Sequence, residues 1–168
     1  MRNLFMTVAA IVLLFAPPGR ANDIPAPQDE VVLTVSGDID ATNVGDTAQF
    51  DMAMLQEMTA VTFETTTLWT EGTRTFVGVP MSHLLDLLGV KDGMILASAI
   101  NDYTVEIPVD SITDTAPILA YSLDGKQMAR REKGPLWVIY PYDSDASFRS
   151  ELVYSRSIWQ LTRLEVVR

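Results

Sequence analysis

The sequence predicts an α+β domain, a mixed β-sheet with a barrel-like core and a few helices packed on it. Three observations carry this. The apolar residues fall mainly in short runs rich in Val, Ile, Thr and aromatic side chains, bounded by Gly, Pro, Asn and Asp. Only two stretches repeat their apolar residues at helical spacing. The chain is 48% apolar and 20% charged, enough to bury a core and too apolar for a disordered polymer.

The elements follow in order. Val31–Gly37 alternates toward a strand that stops at glycine. The segment Phe50–Met58 reads as a helix, with Asp51 near its N-cap and Met54, Leu55 and Met58 on one face. Val61–Leu68 is a strand, Glu71–Arg74 a turn, and Thr75–Val79 a short extended piece. Pro80 opens a second helix through Met81, Leu84, Leu85 and Leu88, and Gly89 ends it. Met94–Ile100 and Tyr103–Pro108 are strands around the turn pair Asn101-Asp102, and Val109–Asp114 is a helical turn. Ile118–Leu123 and Gln127–Ala129 flank the hairpin turn Asp124-Gly125. Leu136–Tyr140 and Ile158–Val167 complete the strands.

The N-terminus reads differently. Met1-Arg2-Asn3 precedes an apolar run from Leu4 to Phe15, and Gly19-Arg20-Ala21 supplies small residues for cleavage. This is the pattern of a secretory signal peptide over residues 1–21, cleaved after Ala21, and it implies a periplasmic location. The run is shorter than the roughly 20 residues a membrane span needs. Residues 22–30 form a leader segment and residues 31–168 the domain.

Composition excludes several chemistries. The chain has no cysteine, so it forms no disulfide and supplies no thiolate to zinc, iron–sulfur or molybdenum. Its single histidine, His83, rules out a multi-histidine metal site within one chain. A net charge of -10 repels phosphates and argues against nucleic acid as a partner.

An ordered series of short pieces carries a resemblance. Phe76-Val77-Gly78-Val79-Pro80-Met81 leads into Leu84-Leu85, then come Asn101-Asp102-Tyr103 and Ile107-Pro108. After these stand Ile118-Leu119-Ala120, Asp124-Gly125-Lys126, Lys133-Gly134-Pro135-Leu136-Trp137 and Tyr140-Pro141. The series resembles the molybdopterin-binding domain of the sulfite-oxidase type, over about Val31 to Arg168. Catalytic members of that family carry a molybdenum-binding cysteine ahead of the Gly-Val-Pro segment. Here that stretch reads Thr65-Thr66-Thr67-Leu68-Trp69-Thr70. The cysteine-free, secreted pattern resembles periplasmic pterin-binding regulators of the PruR type. That resemblance implies a ligand of the tetrahydropterin type in place of the molybdenum cofactor. It also implies a partner, the periplasmic region of a membrane diguanylate cyclase or phosphodiesterase. The alternative is a molybdopterin-dependent oxidoreductase of the sulfite-oxidase kind with a non-cysteine metal site. A scaffold that uses the fold only for protein contacts is a third reading.

Pterin recognition needs a carboxylate to accept the two adjacent donors of the aminopyrimidinone edge, and aromatic walls at the ring faces. Asp102, in its turn, is the expected carboxylate, against an ordinary role as a turn former. Trp69, Tyr103 and Trp137 are expected walls, although Trp137 sits in an apolar strand that suits a core. Tyr140 ends a strand, where its hydroxyl can face a pocket. Arg131 and Lys133, beside Gly134-Pro135, and Arg156 are expected cations for ligand oxygens, against solvated or ion-paired roles. No catalytic residue and no metal ligand is expected.

Overall fold

The structure, a computed structural model, describes residues 24–168. The signal-peptide pattern lies outside the described residues. Ten strands form one mixed sheet: β1 (Val31–Gly37), β2 (Ala48–Asp51), β3 (Val61–Thr67), β4 (Thr70–Pro80), β5 (Met94–Ala99), β6 (Thr104–Pro108), β7 (Ile118–Leu123), β8 (Lys126–Gln127), β9 (Leu136–Ile139) and β10 (Trp159–Val167). Three helices accompany them: α1 (Met52–Glu57), α2 (Met81–Leu87) and α3 (Glu151–Arg156). The α+β class is as the sequence predicts.

The main path of the sheet runs β2-β1-β10-β9-β7-β4-β3, with β5 and β6 branching from β10 and β8 attached to β7. The sheet is unclosed, with β2 and β3 at its ends, so the barrel-like core stays open. β1 and β10 pair in parallel and the other pairs are antiparallel. β10 is the hub. Leu161 has partners on both sides, Ala99 of β5 and Leu136 of β9. Leu33, Val35, Phe76, Leu84, Ile118, Val138, Leu161 and Leu164 are fully buried and form the core around these strands. Their apolar side chains alternate along β1 and β10, which is why those segments fold as half-buried strands.

Local chemistry explains the helix starts. Asp51 caps α1 by accepting the Met54 N–H at 2.9 Å, and also accepts the N–H groups of Gln28 and Asp29. These donors, Met54 first and Gln28 next, hold its carboxyl below the usual range. Asp51 thereby ties down the leader segment as well. The expected helix at Phe50 starts later, because Phe50 and Asp51 first complete β2 beside β1. Ser150 caps α3 through the Val153 N–H.

Glu71–Arg74, expected as a turn, belongs instead to β4, which pairs with β3 at Thr70 and again from Arg74 onward, across a register shift between Thr67 and Thr65. The chain reverses two residues earlier, at Leu68-Trp69. Thr67 and Thr70 close this reversal with their hydroxyls 2.8 Å apart, and the Trp69 N–H donates to the Thr67 hydroxyl.

Candidate functional site

Four segments converge on a cavity of about 380 Å³. The β3–β4 turn supplies Trp69, and the β5–β6 turn supplies Asn101 and Tyr103. The end of α3 supplies Tyr154 and Ser155, and the approach to β10 supplies Ser157, Trp159 and Gln160. The walls are aromatic and the polar groups are neutral amides and hydroxyls.

The aromatic wall is a cross-braced cluster. Trp69 meets Trp137, Trp159, Tyr154 and Tyr142 edge-on, with ring centroids 5.8, 5.7, 6.1 and 6.4 Å away. Such pairs contribute about 0.5–1.5 kcal/mol each beyond area burial. The ammonium of Lys133 lies 4.5 Å from the Trp159 ring centroid and 5.1 Å from that of Trp137. The Tyr142 hydroxyl donates to Ser157, whose own hydroxyl donates to the Val153 carbonyl at 2.8 Å. Trp137 Nε1 donates to the Ser157 carbonyl at 3.1 Å. The junction of α3 with β10 is therefore anchored from behind.

Two non-glycine residues at the cavity rim have left-handed backbones. Asp102 has φ of 65° in the β5–β6 turn and Gln160 has φ of 53° at an irregularity in β10. A left-handed aspartate in a turn is well tolerated, and a glutamine is less so. Gln160 is held there by its contacts. Its N–H donates to the Lys133 carbonyl, and its carbonyl accepts the Ile100 N–H.

The segment that stands where the resemblance expects a cysteine is clamped by hydrogen bonds. Asp143 accepts the Thr66 N–H at 2.6 Å and the Thr66 hydroxyl at 2.9 Å. Its own N–H donates to the buried Thr65 hydroxyl at 3.1 Å. These donors, the Thr66 N–H foremost, hold the Asp143 carboxyl below the usual range.

The sequence-predicted residues separate into groups. Trp69 and Tyr103 line the cavity. Asp102 sits between two lining residues, but its carboxylate is bound by Arg163 at 2.6 Å and does not line it. Trp137 is fully buried behind Trp69, and Lys133 lies against Trp159, so both support the wall. Arg131 is exposed in the turn after β8 and is not among the lining residues. Tyr140 and Arg156 also lie outside the lining. Burial pushes the Tyr140 phenol up to about 12, with Arg156 opposing, and its hydroxyl has no partner among the described residues. Arg156 reaches the Ser111 hydroxyl at 3.4 Å. Sequence reasoning passed over Asn101, Tyr154, Trp159 and Gln160 as ligand contacts. The run Tyr154-Ser155-Arg156-Ser157-Ile158-Trp159, with aromatics at both ends, is the signal that could have found two of them.

Residues 22–144 match the family described as oxidoreductase molybdopterin binding domain. The chain belongs to this family of sulfite-oxidase-type molybdopterin-binding domains. A search of curated proteins finds no match. The cavity straddles the matched range: Trp69, Asn101 and Tyr103 lie within it, and Tyr154 to Gln160 lie beyond.

The domain family binds a pterin-type molybdenum cofactor. The residues of this chain fit the two halves of that group unequally. Aromatic walls and neutral amides suit a flat hydrogen-bonding heterocycle. A soft thiolate is the usual protein ligand of the metal half, and the chain has none to give. Among the described residues no cluster of three or more His, Cys, Asp or Glu side chains is placed to hold a metal ion. The site does not fit molybdenum held in the family's way.

Proposed function

We propose that this protein is a periplasmic, non-catalytic receptor for a reduced pterin of the tetrahydropterin type. In this reading it relays pterin availability to a membrane diguanylate cyclase or phosphodiesterase through that enzyme's periplasmic region. One observation carries the ligand half: a molybdopterin-family domain without any cysteine keeps an open cavity walled by Trp69, Tyr103, Tyr154 and Trp159. Stacking between such rings and a pterin, with neutral polar groups at its edge, is the chemistry available there.

The partner half is supported by the rim. Leu68, Ile100, Tyr103 and Leu152 are large apolar side chains that remain exposed, and all belong to the segments that build the cavity. Exposed apolar side chains on the segments that build a ligand cavity suit a protein whose partner reads occupancy directly. For the ligand to signal, the partner must bind the loaded and empty forms unequally.

The test is isothermal titration calorimetry of the purified protein with tetrahydropterins under anaerobic conditions. Saturable binding that Trp69→Ala weakens about 2- to 10-fold is expected from the loss of one stacking pair. Absence of saturable heat with every pterin tried rejects the reading.

A further inference from the structure

We propose that the cavity selects its ligand with two neutral amides, Asn101 as donor and Gln160 as acceptor, which together read a lactam edge. A lactam edge is a ring carbonyl beside a ring N–H, as in a 4-oxo pterin. The inference rests on the cavity being the ligand site, and it replaces the carboxylate expected at Asp102.

The polarity of Gln160 is determined by what lies behind it. Its Nε2 donates to the Arg130 carbonyl at 2.6 Å and to the Glu132 carbonyl at 3.3 Å. Carbonyl oxygens only accept, so the flipped amide would set oxygen against oxygen twice. Both amide hydrogens are therefore committed away from the ligand. Oε1 receives no hydrogen bond among the described residues, and it can only accept. The residue's left-handed backbone and its two main-chain hydrogen bonds, to Lys133 and Ile100, keep it in this pose.

Asn101 has the opposite polarity. Its Oδ1 accepts the Tyr103 N–H at 3.3 Å, which leaves Nδ2 as the group without a partner among the described residues. Asn101 and Gln160 both line the cavity. Their backbones are tied together by the Ile100 N–H donating to the Gln160 carbonyl at 2.9 Å. One donor and one acceptor thus border the same aromatic slot. A ring carbonyl pairs with Asn101 Nδ2, and the adjacent ring N–H pairs with Gln160 Oε1. Asp102 takes no part, because Arg163 already holds its carboxylate.

A 4-amino pteridine reverses both groups: it offers an amine where the carbonyl was and a bare ring nitrogen where the N–H was. Donor then faces donor and acceptor faces acceptor. Each mismatch strands a desolvated polar group, so discrimination of about 10-fold or more is expected.

The experiment is a tryptophan-quenching titration of the full mature chain with two probes in the same reduced state, dimethyltetrahydropterin and its 4-amino analogue. The expected result is a preference of about 10-fold or more for the 4-oxo probe. Asn101→Asp keeps the oxygen that accepts the Tyr103 N–H but replaces the free donor with an acceptor, and is expected to abolish the preference. Equal affinity of the unaltered protein for both probes overturns the amide pair while leaving the pterin reading standing. Binding of neither probe overturns the pterin reading and the amide pair with it. An Asn101→Asp protein that melts like the parent and keeps the preference overturns the role of Asn101.

Discussion

Trp69 meets Trp159 edge to face across the mouth of the cavity, with ring centroids 5.7 Å apart and planes at 66°. One ring comes from a turn between the first half of the strands and the other from the last strand, so their contact closes the wall across the whole chain. Trp69 touches three further aromatic rings, and removing it opens the wall from one side. Trp69→Ala is expected to destabilise the fold by about 3 kcal/mol, the low end for a large aromatic because the side chain is only half-buried. Trp69→Phe keeps a ring in place and is expected to recover most of that loss. Urea unfolding of both variants checks the order.

In the proposed function, the exposed apolar residues beside the cavity are expected to serve partner binding rather than ligand binding. Leu68 is 67% exposed and Leu152 59% exposed, and neither lines the cavity. Replacing both with aspartate is expected to leave pterin affinity within about 2-fold and stability within about 0.5 kcal/mol, as for most surface changes. In the proposed relay, association with the periplasmic region of the partner diguanylate cyclase or phosphodiesterase is expected to weaken about 10-fold or more, since apolar anchors dominate such interfaces. Biolayer interferometry with that purified region measures it. Unchanged association moves the docking surface elsewhere.

Close backbone approach gives a prediction at Gly78. A Cβ there would collide with the backbone of Leu119 and Ala120, at the point where the β4–β7 register shifts. Those atoms belong to a central strand and cannot swing aside as a flexible side chain would. Gly78→Ala is therefore expected to cost about 2 kcal/mol or more, read as a lower melting temperature. Gly72, also in β4, has open space where a Cβ would sit, but its φ of 66° makes alanine strained there for a different reason.

What could be read from the sequence was what local chemistry decides. The helix behind Pro80, the Asp124-Gly125 hairpin and the Asp51 cap depend on neighbouring residues, and all three form. The turn at Glu71–Arg74 misled because Gly72 looks like punctuation. Pairing with β3 outweighs that preference and moves the reversal to Leu68-Trp69, which has no turn-forming residue of its own. β2 and α3 are short, at four and six residues, and leave too little periodicity to detect. In the site, Trp69 and Tyr103 were legible as aromatics flanking turns. Gln160 was not, because its polarity comes from the carbonyls of Arg130 and Glu132, distant in sequence. Asp102 looked like the ligand carboxylate because nothing local reveals that Arg163 reaches it across the sheet.

Acid should loosen the clamp on the Thr65-Thr66 segment. The Asp143 carboxyl is held below its usual 3.8 by the Thr66 N–H and hydroxyl. A group whose folded value is depressed adds stability above the unfolded value, and that stability is lost as pH falls through the folded one. The contribution is thus complete above about pH 5 and fades below about pH 4. Asp143→Asn still offers an acceptor but has no charge to protonate. The variant is expected to melt lower than the parent at neutral pH, with the gap shrinking as the solution is taken below pH 4. Asp51 and Asp145 have lowered values too, so the acid decline of the variant does not vanish; it only becomes shallower. Parallel melting curves of parent and variant across that pH range, with a constant gap, would show that the charge on Asp143 does not hold the segment.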